Sequence, residues 1–96
     1  MPSAYIIANV HVTDPEQYAQ YRELAGLAMK AHDAEVCVRG GALQVLEGDW
    51  QPERVVVLKF ASVEKARAFY DSVEYQKAIK AREGAAVMRM VIVEGV

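Results

Sequence analysis

The sequence predicts an α+β domain built on one antiparallel sheet, and three observations carry that prediction. Segments rich in β-branched residues, with strand-like alternation, occur at Ala4–Val12, Arg54–Phe60 and Val87–Glu94. Segments with apolar residues at helical spacing lie between them. Residues 38–52 place paired glycines, charges and the only tryptophan between two strand-like segments. At 96 residues the chain fits a single domain, residues 1–96.

Composition narrows the class of protein. The chain is 53% hydrophobic and 25% charged, with a formal net charge of -2, and its acids and bases are interspersed, so no nucleic-acid partner is expected. The single Cys37 forms no intrachain disulfide and is predicted to be a small apolar filler, and a cytoplasmic location is expected. The first strand has no basic flank and contains Asn9 and His11, which predicts neither a signal peptide nor a membrane span.

The first strand and helix follow from local patterns. In Ala4–Val12, small and aliphatic residues alternate with a second, more polar set. Asp14 is predicted to cap the following helix, Pro15 to occupy its first position and the Gln17 side chain to reach back to the cap. Apolar residues then recur at helical spacing to about Ala31.

The middle of the chain is predicted to form a hairpin. Val36–Leu46 is a second strand region interrupted at Gly40-Gly41, where a bulge or bend is expected. A turn-rich segment, 47–53, joins it to the third strand, Arg54–Phe60.

The last third of the chain predicts two helical segments and a strand. Ser62 caps a helix that directs Val63, Ala66 and either Phe69 or Tyr70 inward. Ser72 caps another, Val73–Glu83. The last strand is Val87–Glu94.

This order of elements predicts a ferredoxin-like βαββαβ sandwich, in which both helical layers cover one side of a four-stranded antiparallel sheet. The other side is left uncovered and mostly apolar. Its predicted members are Tyr5, Ile7, Asn9, His11, Val55, Val57, Lys59, Arg89, Val91 and Val93. An exposed apolar area of that extent usually marks an interface or a ligand site. A homodimer is therefore expected, with two sheets face to face around a cavity, as in a dimeric α/β barrel.

Several motifs resemble a known family. They are Thr13-Asp14-Pro15, Val38-Arg39-Gly40-Gly41, Leu46-Glu47-Gly48-Asp49-Trp50-Gln51-Pro52-Glu53-Arg54 and Ser72 to Gln76. With this set the chain resembles the small bacterial proteins called domain of unknown function thirteen-thirty, in the dimeric α/β-barrel, ferredoxin-like superfamily. The chain departs from the family pattern at Asp33-Ala34 and Val36-Cys37, where a Gly-Gly pair and an aromatic residue are frequent. The resemblance implies the fold and a dimer, and it implies no particular reaction.

The uncovered face carries the candidate catalytic groups. His11 and Arg89 are predicted to lie together near the end of the first strand, with Asn9 beside them and Arg54 close by. His11 is suited to act as a general base near neutral pH, and Arg89 to hold an anionic substrate. The alternative is that these groups hydrogen-bond across the dimer without chemistry.

Five further residues are candidate ligand-binding groups. Arg39 and Glu47 either pair with each other or bind a carboxylate ligand through the guanidinium. Trp50 is either a lid over a pocket or a plug on the sheet edge. Tyr75 and Arg82 share a helix face, where they line a pocket entrance or serve structure, the tyrosine as a seal and the arginine at a helix end.

No cofactor or metal is predicted. The two histidines and one cysteine lack ligand spacing, and Gly40-Gly41 lacks the lysine and further glycines of a phosphate loop. His32 is explained by its place at a helix C-terminus.

The sequence therefore predicts a homodimer that binds or transforms a small anionic or aromatic organic molecule in a cavity at the sheet-sheet interface. The first alternative is a non-catalytic dimeric binding or structural module. The second, implied by the superfamily, is a cofactor-free or haem-type monooxygenase. Asn9 and Trp50 fit the haem type, but the second helix has no histidine to bind the iron. Whether the protein is an enzyme, and on what substrate, is left open.

Overall fold

The computed structural model describes residues 2–96. The elements are β1 (Ala4–Val12), α1 (Pro15–Ala31), β2 (Glu35–Arg39), β3 (Arg54–Phe60), α2 (Val63–Asp71), α3 (Val73–Ala81) and β4 (Ala86–Glu94). The four strands are antiparallel in the order β2-β3-β1-β4. This is the predicted ferredoxin-like α+β arrangement.

Strand β1 lies in the centre of the sheet and separates its two faces. It pairs with β3 on one side and with β4 on the other, and Ala4 lies opposite both Phe60 and Glu94. Its alternate residues Ala4, Ile6, Ala8 and Val10 are each at most 3% exposed. They form the floor of the core beneath the helices, because side chains of a strand alternate between its faces.

The start of α1 is capped as predicted, but Gln17 acts elsewhere. Asp14 Oδ1 accepts a hydrogen bond from the Gln17 backbone N–H at 3.2 Å. The prediction that the Gln17 side chain reaches back is wrong, since its Nε2 donates to the carbonyls of Ala81 at 3.0 Å and Glu83 at 2.6 Å. The last carbonyls of a helix lack intrahelical partners. Gln17 therefore ties the start of α1 to the end of α3.

The other ends of α1 and α3 are also joined. His32 Nε2 lies 2.9 Å from Glu74 Oε1. This hydrogen bond is the main reason that the pKa of Glu74 lies below its usual value. The two helices are thus linked at both ends by side chains 42 or more positions apart in sequence.

Ser72 divides the second helical layer. Its Oγ donates to the Phe69 carbonyl at 2.7 Å and accepts from the Tyr75 N–H at 3.1 Å, so one hydroxyl ends α2 and begins α3. Helix α3 ends at Ala81, two residues before the predicted end. None of the helices in residues 2–96 combines the length and the apolar character that a bilayer crossing requires.

An aromatic cluster fills the core between the helices and the sheet. The ring centroid of Phe69 lies 4.6 Å from that of Tyr75 and 5.2 Å from that of Phe60. Tyr21 meets Tyr75 edge-on at 6.1 Å. Tilted and edge-to-face contacts at these distances are favourable for aromatic pairs.

The hairpin differs from its prediction. Strand β2 ends at Arg39, so the predicted continuation to Leu46 is wrong, and residues 40–53 form an irregular loop. The bulge is at Cys37, since Val36 lies opposite Leu58 and Val38 opposite Val57. Cys37 is exposed, so its predicted role as an apolar filler is also wrong. The reason is that β2 is an edge strand whose five residues are all exposed.

Candidate functional site

A cavity of about 350 Å³ lies between α1 and the helix-covered face of the sheet. Its floor is apolar and includes Ile6, Ala8, Leu58, Phe69 and Met88. Its polar lining consists of Tyr18, Tyr21, Arg22, Glu23, Arg39, Arg54 and Tyr75. Small-molecule sites are commonly apolar clefts of roughly 300–1,000 Å³ with a few polar groups. The size and lining of this cavity suit a small organic ligand.

Two buried phenols lie together in this cavity. The hydroxyl oxygens of Tyr21 and Tyr75 are 2.7 Å apart, and Arg82 Cζ lies 5.4 Å from the Tyr21 ring centroid. Burial raises the pKa of both phenols, and the charge of Arg82 offsets part of that rise. Both phenols are therefore protonated at neutral pH. Either hydroxyl can donate to the other, and the Tyr75 hydroxyl also lies 4.0 Å from the weak acceptor Met90 Sδ.

Among residues 2–96, two arginines, Arg54 and Arg82, have a buried Nε without a hydrogen-bond partner, and of these only Arg54 lines the cavity. As the first residue of β3, Arg54 lies opposite Val10, on the helix-covered face. Within residues 2–96 the ion pairs are His11–Glu53, His32–Glu74 and Arg67–Asp71, so Arg54 has no carboxylate within 4.0 Å. A buried N–H without an acceptor is costly unless a ligand or water supplies one.

Gly40 makes room for Arg54. Its φ is +66°, in the left-handed region, and its N–H donates to the Val55 carbonyl at 2.9 Å. A Cβ at Gly40 would lie 2.7 Å from Arg54 Cζ, whereas a Cβ at Gly41 would meet nothing within 4 Å. The first glycine of the pair thus allows both the turn out of β2 and the position of the guanidinium.

The two glycines are therefore expected to respond differently to substitution. Gly40→Ala is expected to lower the free energy of unfolding by about 1–2 kcal/mol, because an L residue is disfavoured at positive φ. Gly41→Ala is expected to change it by less than about 0.5 kcal/mol, as for most exposed positions. Urea unfolding of both variants measures the difference. Equal losses would contradict the role assigned to Gly40.

The predicted catalytic residues lie on the opposite side of the sheet from this cavity. Asn9 lies opposite Arg89 in β4, so these two are neighbours on the uncovered face, as predicted. His11 Nδ1 lies 2.8 Å from Glu53 Oε1, and both side chains are more than half exposed. Arg54, expected beside His11, lies on the other face. The catalytic roles of His11 and Arg89 remain predictions.

The candidate ligand-binding residues divide into two groups. Arg39 and Tyr75 line the cavity, and Arg82 packs over the Tyr21 ring. Glu47 and Trp50 lie in the 40–53 loop and are exposed, Trp50 by 59%, and neither lines the cavity. Arg39 and Glu47 do not pair among the described residues, because Arg39 lies opposite Val56 on the helix-covered face while the loop leaves the sheet.

Sequence reasoning missed the cavity because it used the apolar residues of α1 only to predict a helix and assigned none of them to a site. It also placed Arg54 with His11. Strand alternation contained the signal, since Arg54 falls one and three positions before Val55 and Val57, which were predicted on the uncovered face, and an odd number of positions reverses the face. No group of three or more histidine, cysteine or acidic side chains that could hold a metal occurs within residues 2–96.

The fold and cavity define a ferredoxin-like α+β protein with a small-molecule-sized pocket between its helices and its sheet. The family model for Domain of unknown function (DUF1330) matches residues 3–96. The chain belongs to this family. No curated protein matches the sequence.

Solved structures with the same fold extend the comparison. A protein of unknown function from Rhodopseudomonas palustris is 19% identical, with 99% of this chain and 83% of that one covered and a TM-score of 0.74. A dimeric ferredoxin-like protein of unknown function from Bacteroides fragilis is 11% identical, with 96% and 95% covered and a TM-score of 0.65. SnoaB, a cofactor-independent oxygenase from Streptomyces nogalater, is 8% identical, with 96% and 91% covered and a TM-score of 0.64. These likenesses show the fold.

Proposed function

We propose that this protein binds a small, largely apolar aromatic molecule in the cavity between α1 and the sheet. The observation that carries the proposal is a cavity of about 350 Å³ with an apolar floor and with Arg54, whose buried Nε has no acceptor, in its lining. The aromatic rings of Tyr18, Phe69 and Tyr75 supply walls against which a planar ligand stacks.

This location differs from the sequence-based expectation of a cavity between two sheets. The single chain already encloses the pocket on the helix-covered side, so ligand binding there needs no second chain. The homodimer through the uncovered face is a separate part of the proposal. It is supported by the exposed apolar residues Val87, Val91 and Val93 on β4, which are 59%, 54% and 44% exposed.

The lining favours binding over chemistry near neutral pH. No histidine, cysteine or lysine of the described chain lines the cavity, and its one carboxylate, Glu23, is exposed on α1. Arginine stays protonated throughout the physiological range, and burial keeps the phenols of Tyr21 and Tyr75 neutral. These groups hold a ligand well but do not exchange a proton readily at pH 7.

Filling the cavity from α1 tests the proposal. Gly26 lines the cavity, and a Cβ there would meet no atom within 4 Å. Gly26→Phe is expected to keep the fold, since leaving glycine improves helix propensity. It is expected to weaken binding of the neutral probe naphthamide at least about tenfold, a loss of about 1.4 kcal/mol, because the added ring occupies the ligand volume.

Leu27→Phe is the matched control. Leu27 is 64% exposed on the same helix and does not line the cavity. Isothermal titration calorimetry of the wild type and both variants gives the three affinities. The proposal fails if the wild type binds no fused-ring aromatic probe, or if Gly26→Phe binds as the wild type does.

A further inference from the structure

We infer that the ligand of this cavity is a carboxylic acid and that the Arg54 guanidinium holds its carboxylate. This inference rests on the proposed function, because it assigns a functional group to the ligand proposed above. Sequence reasoning placed Arg54 near His11 but did not select it as a ligand-binding residue.

The charge around the cavity is the first argument. Three arginines line it, Arg22, Arg39 and Arg54, against the one carboxylate of Glu23. Neither Arg39 nor Arg54 has an acidic side chain within 4.0 Å in the part of the chain that the structure describes. An excess of unpaired positive charge beside a low-dielectric floor attracts an anion.

The missing hydrogen-bond acceptor of Arg54 also supports a carboxylate ligand. Its Nε is buried without an acceptor, although a guanidinium carries donors in a planar fork that fits the two oxygens of a carboxylate. Gly40 lets the guanidinium lie where any larger residue would displace it. A residue held in this way and left unsatisfied is prepared for a planar anionic group.

The remaining lining favours a carboxylate over a phosphate ester. No lysine, serine or threonine of the described residues lines the cavity, and its α1 wall begins at Tyr18, beyond the first turn and its free N–H groups. Recognition of a phosphate commonly uses such additional donors. A carboxylate has one charge and two acceptor oxygens, so a single guanidinium can pair with it. The apolar floor of the cavity contacts the aromatic ring of the ligand.

Three probes of matched shape test the inference in the wild-type protein: naphthoate, naphthamide and naphthyl phosphate. Naphthoate is expected to bind about 10–100-fold more tightly than naphthamide, as for a hydrogen bond to a charged group. Equal affinities of acid and amide would overturn the carboxylate while leaving the proposed function intact. Tighter binding of naphthyl phosphate than of naphthoate would overturn it in favour of a phosphate, and binding of none of the three would end both proposals.

Variants of Arg54 identify the anchor. Arg54→Gln is expected to remove the preference for naphthoate over naphthamide with little change in naphthamide affinity. Arg54→Lys is expected to keep part of it, because the charge remains and the fork is lost. Arg67→Gln, which removes an exposed arginine paired with Asp71 outside the cavity, is the control and is expected to leave the preference unchanged.

An undiminished preference in Arg54→Lys and Arg54→Gln, both verified as folded by circular dichroism, would refute the assignment. Should Arg54→Gln not fold, the lysine variant and the wild-type probe ratios decide.

Discussion

Replacing Phe69 with alanine is expected to lower the free energy of unfolding by about 3–5 kcal/mol, the range for large aromatic residues deleted from a core. Phe69 is 1% exposed, and its ring contacts those of Phe60, Tyr75 and His32. Phe69 belongs to α2 and contacts β3, α3 and the residue that follows α1. Deleting its ring therefore removes contacts among all four segments. Small domains have total free energies of unfolding of about 5–15 kcal/mol, so this variant is expected to be only marginally stable.

Urea unfolding at one fixed protein concentration measures this effect, since the stability of an oligomer depends on concentration. Phe69→Leu, which keeps most of the apolar volume, is expected to lose less. Val73→Ala is the control, because Val73 is 70% exposed at the start of α3. A loss below about 1 kcal/mol for Phe69→Ala would show that the aromatic cluster does not hold the layers together.

Placing a charge on the uncovered face is expected to convert a dimer to a monomer. Val91 lies opposite Ile7 on this face and is 54% exposed in the single chain. In a sheet-to-sheet dimer, Val91→Glu buries an unpaired carboxylate from each copy, which costs several kcal/mol. Sedimentation at micromolar concentration is expected to give a dimer for the wild type and a monomer for Val91→Glu.

Leu27→Glu is the matched control for this experiment. It adds the same charge at a position that is 64% exposed on α1, away from the sheet face. This variant is expected to stay dimeric. A wild-type protein of monomer mass, or a Val91→Glu variant of dimer mass, would contradict the proposed interface, while the ligand proposal for the cavity would be unaffected.

The fold was largely predictable because its signals are local. The alternation in β1 assigned each residue to a face, and burial of Ala4, Ile6 and Ala8 confirms that assignment. Asp14, Ser62 and Ser72 were identified as caps, and each accepts the expected backbone hydrogen bond. Such signals depend on neighbours three or four positions apart, so they can be read without tertiary contacts.

Prediction was less successful where a partner lies far away in sequence. Gln17 has the composition of a capping residue, yet its amide binds carbonyls at the end of α3. The glycine pair predicted a bulge or bend, and the chain does bend at Gly40, but the bulge lies at Cys37 and the contact of Gly40 with Arg54 was not predicted. In both cases several local arrangements are close in energy, and packing between distant segments selects one of them.

The residues of the candidate site were likewise predictable only in part. Of the residues selected from sequence, Arg39 and Tyr75 line the cavity, while Asn9, His11 and Arg89 share the opposite face. Chemical type alone indicated which side chains can bind an anion or transfer a proton. It could not indicate which of them meet, because that depends on strand register.

The sequence by itself determined the α+β class, the order of elements and the two faces of the sheet, since periodicity and capping are properties of the local chain. Only the tertiary structure decided where a ligand fits. The distance between α1 and the sheet sets the cavity, and the pairing of β3 with β1 places Arg54 opposite Val10 and therefore beside that cavity. Strand alternation indicates only the face on which Arg54 lies, whereas the cavity and the neighbours of Arg54 follow from packing between segments that are remote in sequence.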